Sequence, residues 1–150
     1  MPSAWTQNFY HIVFSTKNRV NSIKSELEDR LYPFIGGIVR DLRCNLLEIN
    51  GIPDHVHLFV RYRPDLSHSE LIRHIKGRSS KWIHDTFPTH QGFAWQEGYG
   101  GFTVSKSNVE KVAEYVCHQK EHHRQQDFKT EFLALLRAHG IEFDESEVFR

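Results

Sequence analysis

The stretch LLEINGIPDHVHLFVRY (46–62) decides the fold. LLEINGI (46–52) and DHVHLFVRY (54–62) are rich in Leu, Ile and Val and read as two strands. Asn50-Gly51 between apolar runs predicts a tight hairpin, and Pro53 suits the turn. Side chains alternate along a strand, so Val56, Leu58 and Val60 share one face, and His55, His57 and Phe59 share the other. The apolar trio faces a core. The two imidazoles then emerge together on the opposite face, at a spacing that suits one metal ion. Taken alone, the pair reads more readily as two solvated histidines than as a ligand pair, so something else must converge on it.

Working outward, FYHIVFSTK (9–17) reads as a first strand. Residues 22–44 carry Leu27, Leu31, Phe34, Ile35, Ile38 and Leu42 near a 3.6 period, with Ser25 and Glu28 spaced as a capping box and Pro33 as a candidate kink. Residues 67–87 repeat the pattern with Leu71, Ile72, Ile75, Trp82 and Ile83 inward. A Gly- and aromatic-rich loop (87–101) leads to a short fourth strand, FTVS (102–105). A helix over 107–124 opens with a second capping box, Ser107 to Glu110. A last amphipathic helix covers 127–140, with Gly140 placed to cap it.

The order β-α-β-β-α-β followed by two helices predicts an α+β fold. It is a ferredoxin-like antiparallel sheet with two additional C-terminal helices, over one domain spanning 1–150. At 150 residues the chain can bury about 68–70% of its unfolded surface. Lys+Arg 19 against Asp+Glu 19 leaves no global basic field. Residues 61–81 are nevertheless basic, and a local stripe on a neutral protein can steer a polyanion. Two cysteines outside any CxxC pattern predict buried thiols in a reducing compartment. No signal peptide or membrane span stands out, so a cytoplasmic protein is expected.

The helix over 107–124 offers the histidines a partner. Val109, Val112, Ala113 and Val116 form its packing stripe, and Tyr115 and Gln119 stack one turn apart beside it. A carboxamide oxygen can ligate a divalent cation, and a phenol can act as a nucleophile. Asp54 reads as a turn residue directed away from His55. Of the remaining histidines, His11, His118, His122 and His123 are candidate partners or bases, and His122, one turn beyond Gln119, is the best placed. The face carrying Arg73, Lys76, Arg78, Ser79, Ser80 and Lys81 reads on its own as a solvated charged face; only the family resemblance that follows makes it the candidate DNA surface, with Trp95, Tyr99 and Phe102 as candidate stacking platforms.

YHIVFSTKNR (10–19), PDHVHLFV (53–60), IKGRSSKW (75–82), WQEGYGGFTVSKSNVEKVAEYVCHQKEHHR (95–124) and FKTEFLALLRAHGIEFDE (128–145) together resemble the single-tyrosine HUH transposases of the IS-two-hundred type. The resemblance implies His55, His57 and Gln119 as metal ligands, with Mg²⁺ or Mn²⁺ as the ion, and Tyr115 as the catalytic nucleophile. It implies a homodimer that cuts and rejoins single-stranded DNA at hairpins through a 5′-phosphotyrosine. Either subunit's tyrosine can complete a site in such a dimer. Rival readings are a domesticated nickase acting on repeated palindromes, a non-catalytic single-strand-binding module, and a metal-storage or metal-sensing protein.

Overall fold

The computed structural model describes residues 4–150. Strands β1 (Asn8–Ser15), β2 (Asn45–Ile52), β3 (His55–Tyr62) and β4 (Gly100–Val104) form one antiparallel sheet in the order β2-β3-β1-β4. Helices α1 (Ser25–Asp41) and α2 (His68–Thr86) follow β1 and β3. This is the ferredoxin-like arrangement, with β1 and β3 central and flanked on both sides.

Each face of the sheet has its own packing. Ile12, Phe14, Val56, Leu58 and Val60 point toward α1 and α2. There they meet Leu27, Leu31, Ile35, Leu71, Ile75 and Ile83 in the main apolar core. These residues are almost wholly excluded from water. Each large aliphatic side chain so buried contributes about 1.5–3 kcal/mol. The opposite face presents Phe9, His11 and Val13 on β1 and His55, His57 and Phe59 on β3. Helices α3 (Val109–Cys117), α4 (Gln119–His122) and α5 (Phe128–Ala138) follow β4, and a short α6 (Glu145–Val148) ends the chain. Val116 packs on Phe9 and Phe59 at one end of this face. Phe128, Phe132 and Leu136 pack on Val13 and Phe102 at the other. A polar strip lies between the two small clusters.

Several local expectations change. The hairpin turns at Pro53-Asp54, because Ile52 pairs with His55, so Asn50 and Gly51 belong to β2. Asn50 instead donates its amide to the Cys117 carbonyl at 2.7 Å. Gly51 is needed for close approach, since a Cβ there would stand 2.2 Å from the His55 carbonyl oxygen. Helix α1 is preceded by Lys24 as N-cap with no side-chain cap, so Ser25–Glu28 is no capping box. The helix continues through Pro33, which forgoes one backbone bond. Ser107 does not cap α3 either, since its hydroxyl meets that of Ser105 at 3.0 Å and the N-cap is Asn108. The expected helix over 107–124 breaks at His118, whose Nδ1 lies 2.7 Å from the Glu114 carbonyl. By contrast, Ser67 caps α2 and Asp127 caps α5 through their side chains, and Gly140 (φ 66°) follows α5 in the left-handed region.

Cys44 is buried as expected, but Cys117 is exposed, and both are free thiols. No helix of the described residues is long and apolar enough to cross a membrane.

Candidate active site

The pleat of β3 sends both imidazoles into the polar strip, where His55 and His57 are fully buried. Their outer ring nitrogens are already engaged. His55 Nδ1 lies 2.7 Å from Asp54 Oδ1, and His57 Nδ1 shares a 2.7 Å hydrogen bond with His11 Nε2. Asp54 therefore faces His55. It sits in the turn rather than the strand, so strand alternation does not direct it. Held from behind, both rings aim Nε2 inward. This is how a carboxylate or imidazole behind a histidine fixes its tautomer and presents the other nitrogen to a cation.

Three further groups converge on the same point. Gln119 starts α4, and the break at His118 turns its buried carboxamide toward the histidines. Its Oε1 is 3.5 Å from His55 Nε2 and 3.1 Å from His123 Nε2. Glu131 Oε1 lies 2.9 Å from His57 Nε2, 2.9 Å from His123 Nε2 and 3.5 Å from His55 Nε2. One ligand atom from each of His55, His57, His123 and Glu131 falls within 4.8 Å of the others. Lys120, next to Gln119, fixes α4 by donating to Glu28 at 2.7 Å and to Asn50 Oδ1 at 2.6 Å.

The Tyr115 hydroxyl donates to the other oxygen of Glu131. Its ring tilts against His122, with centroids 4.7 Å apart. His122, the histidine singled out in the sequence, thus packs on the tyrosine, while its neighbour His123 enters the cluster. His123 is one of the four further histidines that the sequence offers as partners or bases, whereas Glu131 was not singled out. Glu131 did leave a signal: it lies on the apolar stripe of α5 between Phe128 and Phe132, where a carboxylate is out of place unless it is paired inside.

The electrostatics follow from burial and this one carboxylate. Burial pulls His57 down to about 4 against the opposing pull of Glu131, so its ring is neutral near pH 7. Burial likewise holds His11 well below its usual range, helped by His57. Burial acts in the same sense on His55, but its bonds to Asp54 and Glu131 outweigh it and raise the pKa. Burial works against an ionised Glu131, yet hydrogen bonds from His123, His55 and His57 prevail and keep it anionic. Tyr115 is raised, first by burial and then by its bond to Glu131, so it is a phenol at neutral pH. The donor set fits a divalent cation. Three ring nitrogens share a single carboxylate oxygen, more donors than one oxygen satisfies well, and a divalent cation at their centre would engage them all.

The basic set on α2 is largely committed to the fold. Lys76 Nζ donates to the Gln96 and Gly98 carbonyls at 2.7 Å each, and burial lowers its pKa to about 8. Ser79 is buried, donating to Ile75 and accepting from Trp95 Nε1 at 2.9 Å. Arg78 pairs with Asp41 at 2.8 Å and Lys81 with Asp85 at 2.7 Å, both at the surface. Arg73 is exposed and Ser80 half-buried. Of the expected stacking platforms, Trp95 and Phe102 are core residues and Tyr99 is exposed.

Comparison with known proteins bears on the family and the fold. Residues 4–119 match the family model "Transposase IS200 like". The chain is 31% identical over 122 residues to the IS200 transposase of Salmonella typhimurium, covering 75% of this chain and 76% of that protein. It is 24% identical over 119 residues to the ISDra2 transposase TnpA of Deinococcus radiodurans, covering 75% and 85%. A solved structure described as a transposase from D. radiodurans R1 superposes with a TM-score of 0.67 at 23% identity, over 79% of this chain and 95% of that one. A REP-associated tyrosine transposase bound to a REP hairpin superposes at 0.62 with 15% identity, over 82% and 73%. The family match, the extent of the sequence identity and the shared fold agree: the chain belongs to the IS200-like transposase family.

Proposed function

We propose that this transposase-family protein cleaves and rejoins single-stranded DNA beside hairpins, with Tyr115 as nucleophile and a divalent metal ion at His55, His57 and Gln119. His123 and Glu131 complete the ligand set. The observation that carries the reading is that Tyr115 donates to the carboxylate on which the histidines converge. Nucleophile and ion site thus meet at one residue. Similarity to a transposase solved with a hairpin supports hairpin DNA as the partner.

Bound there, a divalent ion supplies Lewis acidity toward the scissile phosphate. The imidazole-rich donor set favours Mn²⁺ over Mg²⁺ among the two expected ions. The protein's own groups do the rest. Tyr115 Oη forms the new bond to phosphorus while the bond to the 3′-oxygen breaks. The phenolic proton is aimed at Glu131, so that carboxylate is the acceptor in place. The proton that Glu131 takes from the phenol balances the one that the departing 3′-oxygen takes up, so the products are a 5′-phosphotyrosine and a free 3′-hydroxyl. Because the ester is conserved, a returning 3′-hydroxyl reseals the strand by the reverse path. Arg73, Ser80 and the exposed pairs Arg78–Asp41 and Lys81–Asp85 remain the α2 groups open to DNA phosphates. The working assembly is a homodimer.

The test is a labelled hairpin oligonucleotide incubated with the protein and Mn²⁺ or Mg²⁺, resolved on a denaturing gel. A covalent adduct with wild type and none with Tyr115→Phe is expected. An adduct that persists in Tyr115→Phe overturns the nucleophile. His57→Ala is expected to stop cleavage and spare hairpin binding.

A further inference from the structure

A cavity of about 370 Å³ opens beside Tyr115, bounded by β1, β4, α3 and α5. Val104, Val112 and Leu135 supply apolar walls. His11 closes its inner end. Its ring lies 5.8 Å from that of Tyr115, and its Nε2 is bonded to His57, so this wall is continuous with the histidine cluster. His139, stacked on Phe102 at 4.4 Å, forms a further aromatic edge. At the rim stand Thr103, Asn108 and Lys111, all exposed. Among the described residues, the Asn108 carboxamide and Thr103 hydroxyl make no hydrogen bond, and Lys111 has no carboxylate within 4.0 Å.

These walls match one class of occupant. A heteroaromatic ring needs apolar faces and a polar edge, and a cavity at the lower end of the about 300–1,000 Å³ range of small-ligand sites is adequate for it. Lys111 at the rim suits the phosphate that accompanies such a ring. A carboxamide can pair with a base edge through donor and acceptor at once. Position narrows the occupant further: the phosphodiester that Tyr115 attacks must approach its hydroxyl, and the adjoining nucleotide then projects beside the tyrosine ring.

We propose that this cavity receives the nucleobase adjoining the phosphodiester attacked by Tyr115, and that Asn108 and Thr103 select it by its edge. The inference rests on Tyr115 as nucleophile. It adds a protein-borne selection of the cut site to whatever the hairpin contributes.

The test uses full-length Tyr115→Phe protein, which needs no cleavage, and the single-stranded hexanucleotides dA6, dC6 and dT6 beside an abasic hexanucleotide. Binding is followed by amide NMR. At least one base-bearing probe is expected to bind about tenfold more tightly than the abasic one, within the range of one base–aromatic contact. The resonances of Thr103, Asn108 and Val112 are expected to move. Leu135→Trp, which fills the cavity, is expected to remove that advantage. Asn108→Ala, a surface change that spares the fold, is expected to alter which base is preferred. Equal affinity for abasic and base-bearing probes overturns the site, as do shifts confined to other surfaces. Wild-type cleavage separates the two proposals. Base binding in the cavity without any covalent adduct removes the nucleophile and keeps the site. Adducts that form equally with an abasic nucleotide beside the cut remove the site and keep the nucleophile.

Discussion

Glu131 gathers His55, His57, His123 and Tyr115 around two carboxylate oxygens, so it is the side chain through which the site is most sensitively tested. Glu131→Gln keeps the shape and removes the charge. Mn²⁺ affinity by calorimetry is expected to fall at least about tenfold, the lower end of what a lost partner at a metal site costs. A second prediction concerns acid. His57 is held down at about 4 by burial, whereas an unfolded histidine titrates near 6.5. The unfolded chain therefore binds more protons between those values, and stability must fall as pH drops from about 6.5 to about 4. In EDTA, Tm is expected to decline across that window, and His57→Phe is expected to flatten the decline relative to wild type. The two strand histidines were legible because pleat alternation is a local rule. Asp54 was misjudged by extending that rule into a turn. His123 was legible only as one of several histidines near Gln119, and Glu131, 74 residues beyond His57, was hinted at only by being a carboxylate on an apolar stripe.

The elements were legible where their signals were local and periodic. Alternating strands and the apolar stripes of α1, α2 and α5 sufficed for the sheet and its helices. Boundaries set by side-chain competition were not: the 107–124 region ends one helix at His118 and starts another, which a hydrophobic period cannot register. The hairpin signal at Asn50-Gly51 lost to Pro53-Asp54, because β2 continues pairing to Ile52. Docking of α5 depends on a glycine on β4. A Cβ at Gly100 would stand 2.6 Å from Phe132 Cε1, one residue along from Glu131. Gly100→Ala is expected to destabilise by about 1–3 kcal/mol through overpacking. Thermal unfolding measures that loss. Weaker Mn²⁺ binding is expected with it, since α5 cannot shift without carrying Glu131; unchanged affinity would show that the Phe132 ring alone gives way and α5 stays in place.

At the scale of the molecule, one sheet serves two tasks. The face toward α1 and α2 is an apolar core, and the face toward α3–α5 holds a polar strip between two small apolar clusters. A chain with zero net charge has no long-range field to gather DNA, so engagement has to come from local groups and from the geometry of this second face. The sequence left open which subunit's tyrosine completes a histidine pair, because spacing along one chain says nothing about a partner. Within the chain, Tyr115 reaches Glu131, and Glu131 reaches His57 and His123 of the same protomer. Helix α4 is tied to α1 and β2 by Lys120, which opposes swinging the tyrosine helix onto another subunit. The expected behaviour is catalysis in cis. Mixing Tyr115→Phe with His57→Ala, after co-refolding to allow subunit exchange, is then expected to give no covalent adduct on a hairpin oligonucleotide, because neither variant has both groups in one chain. Adduct in the mixture, at a fraction of the wild-type yield and on the His57→Ala polypeptide, would place Tyr115 against the partner's histidines instead.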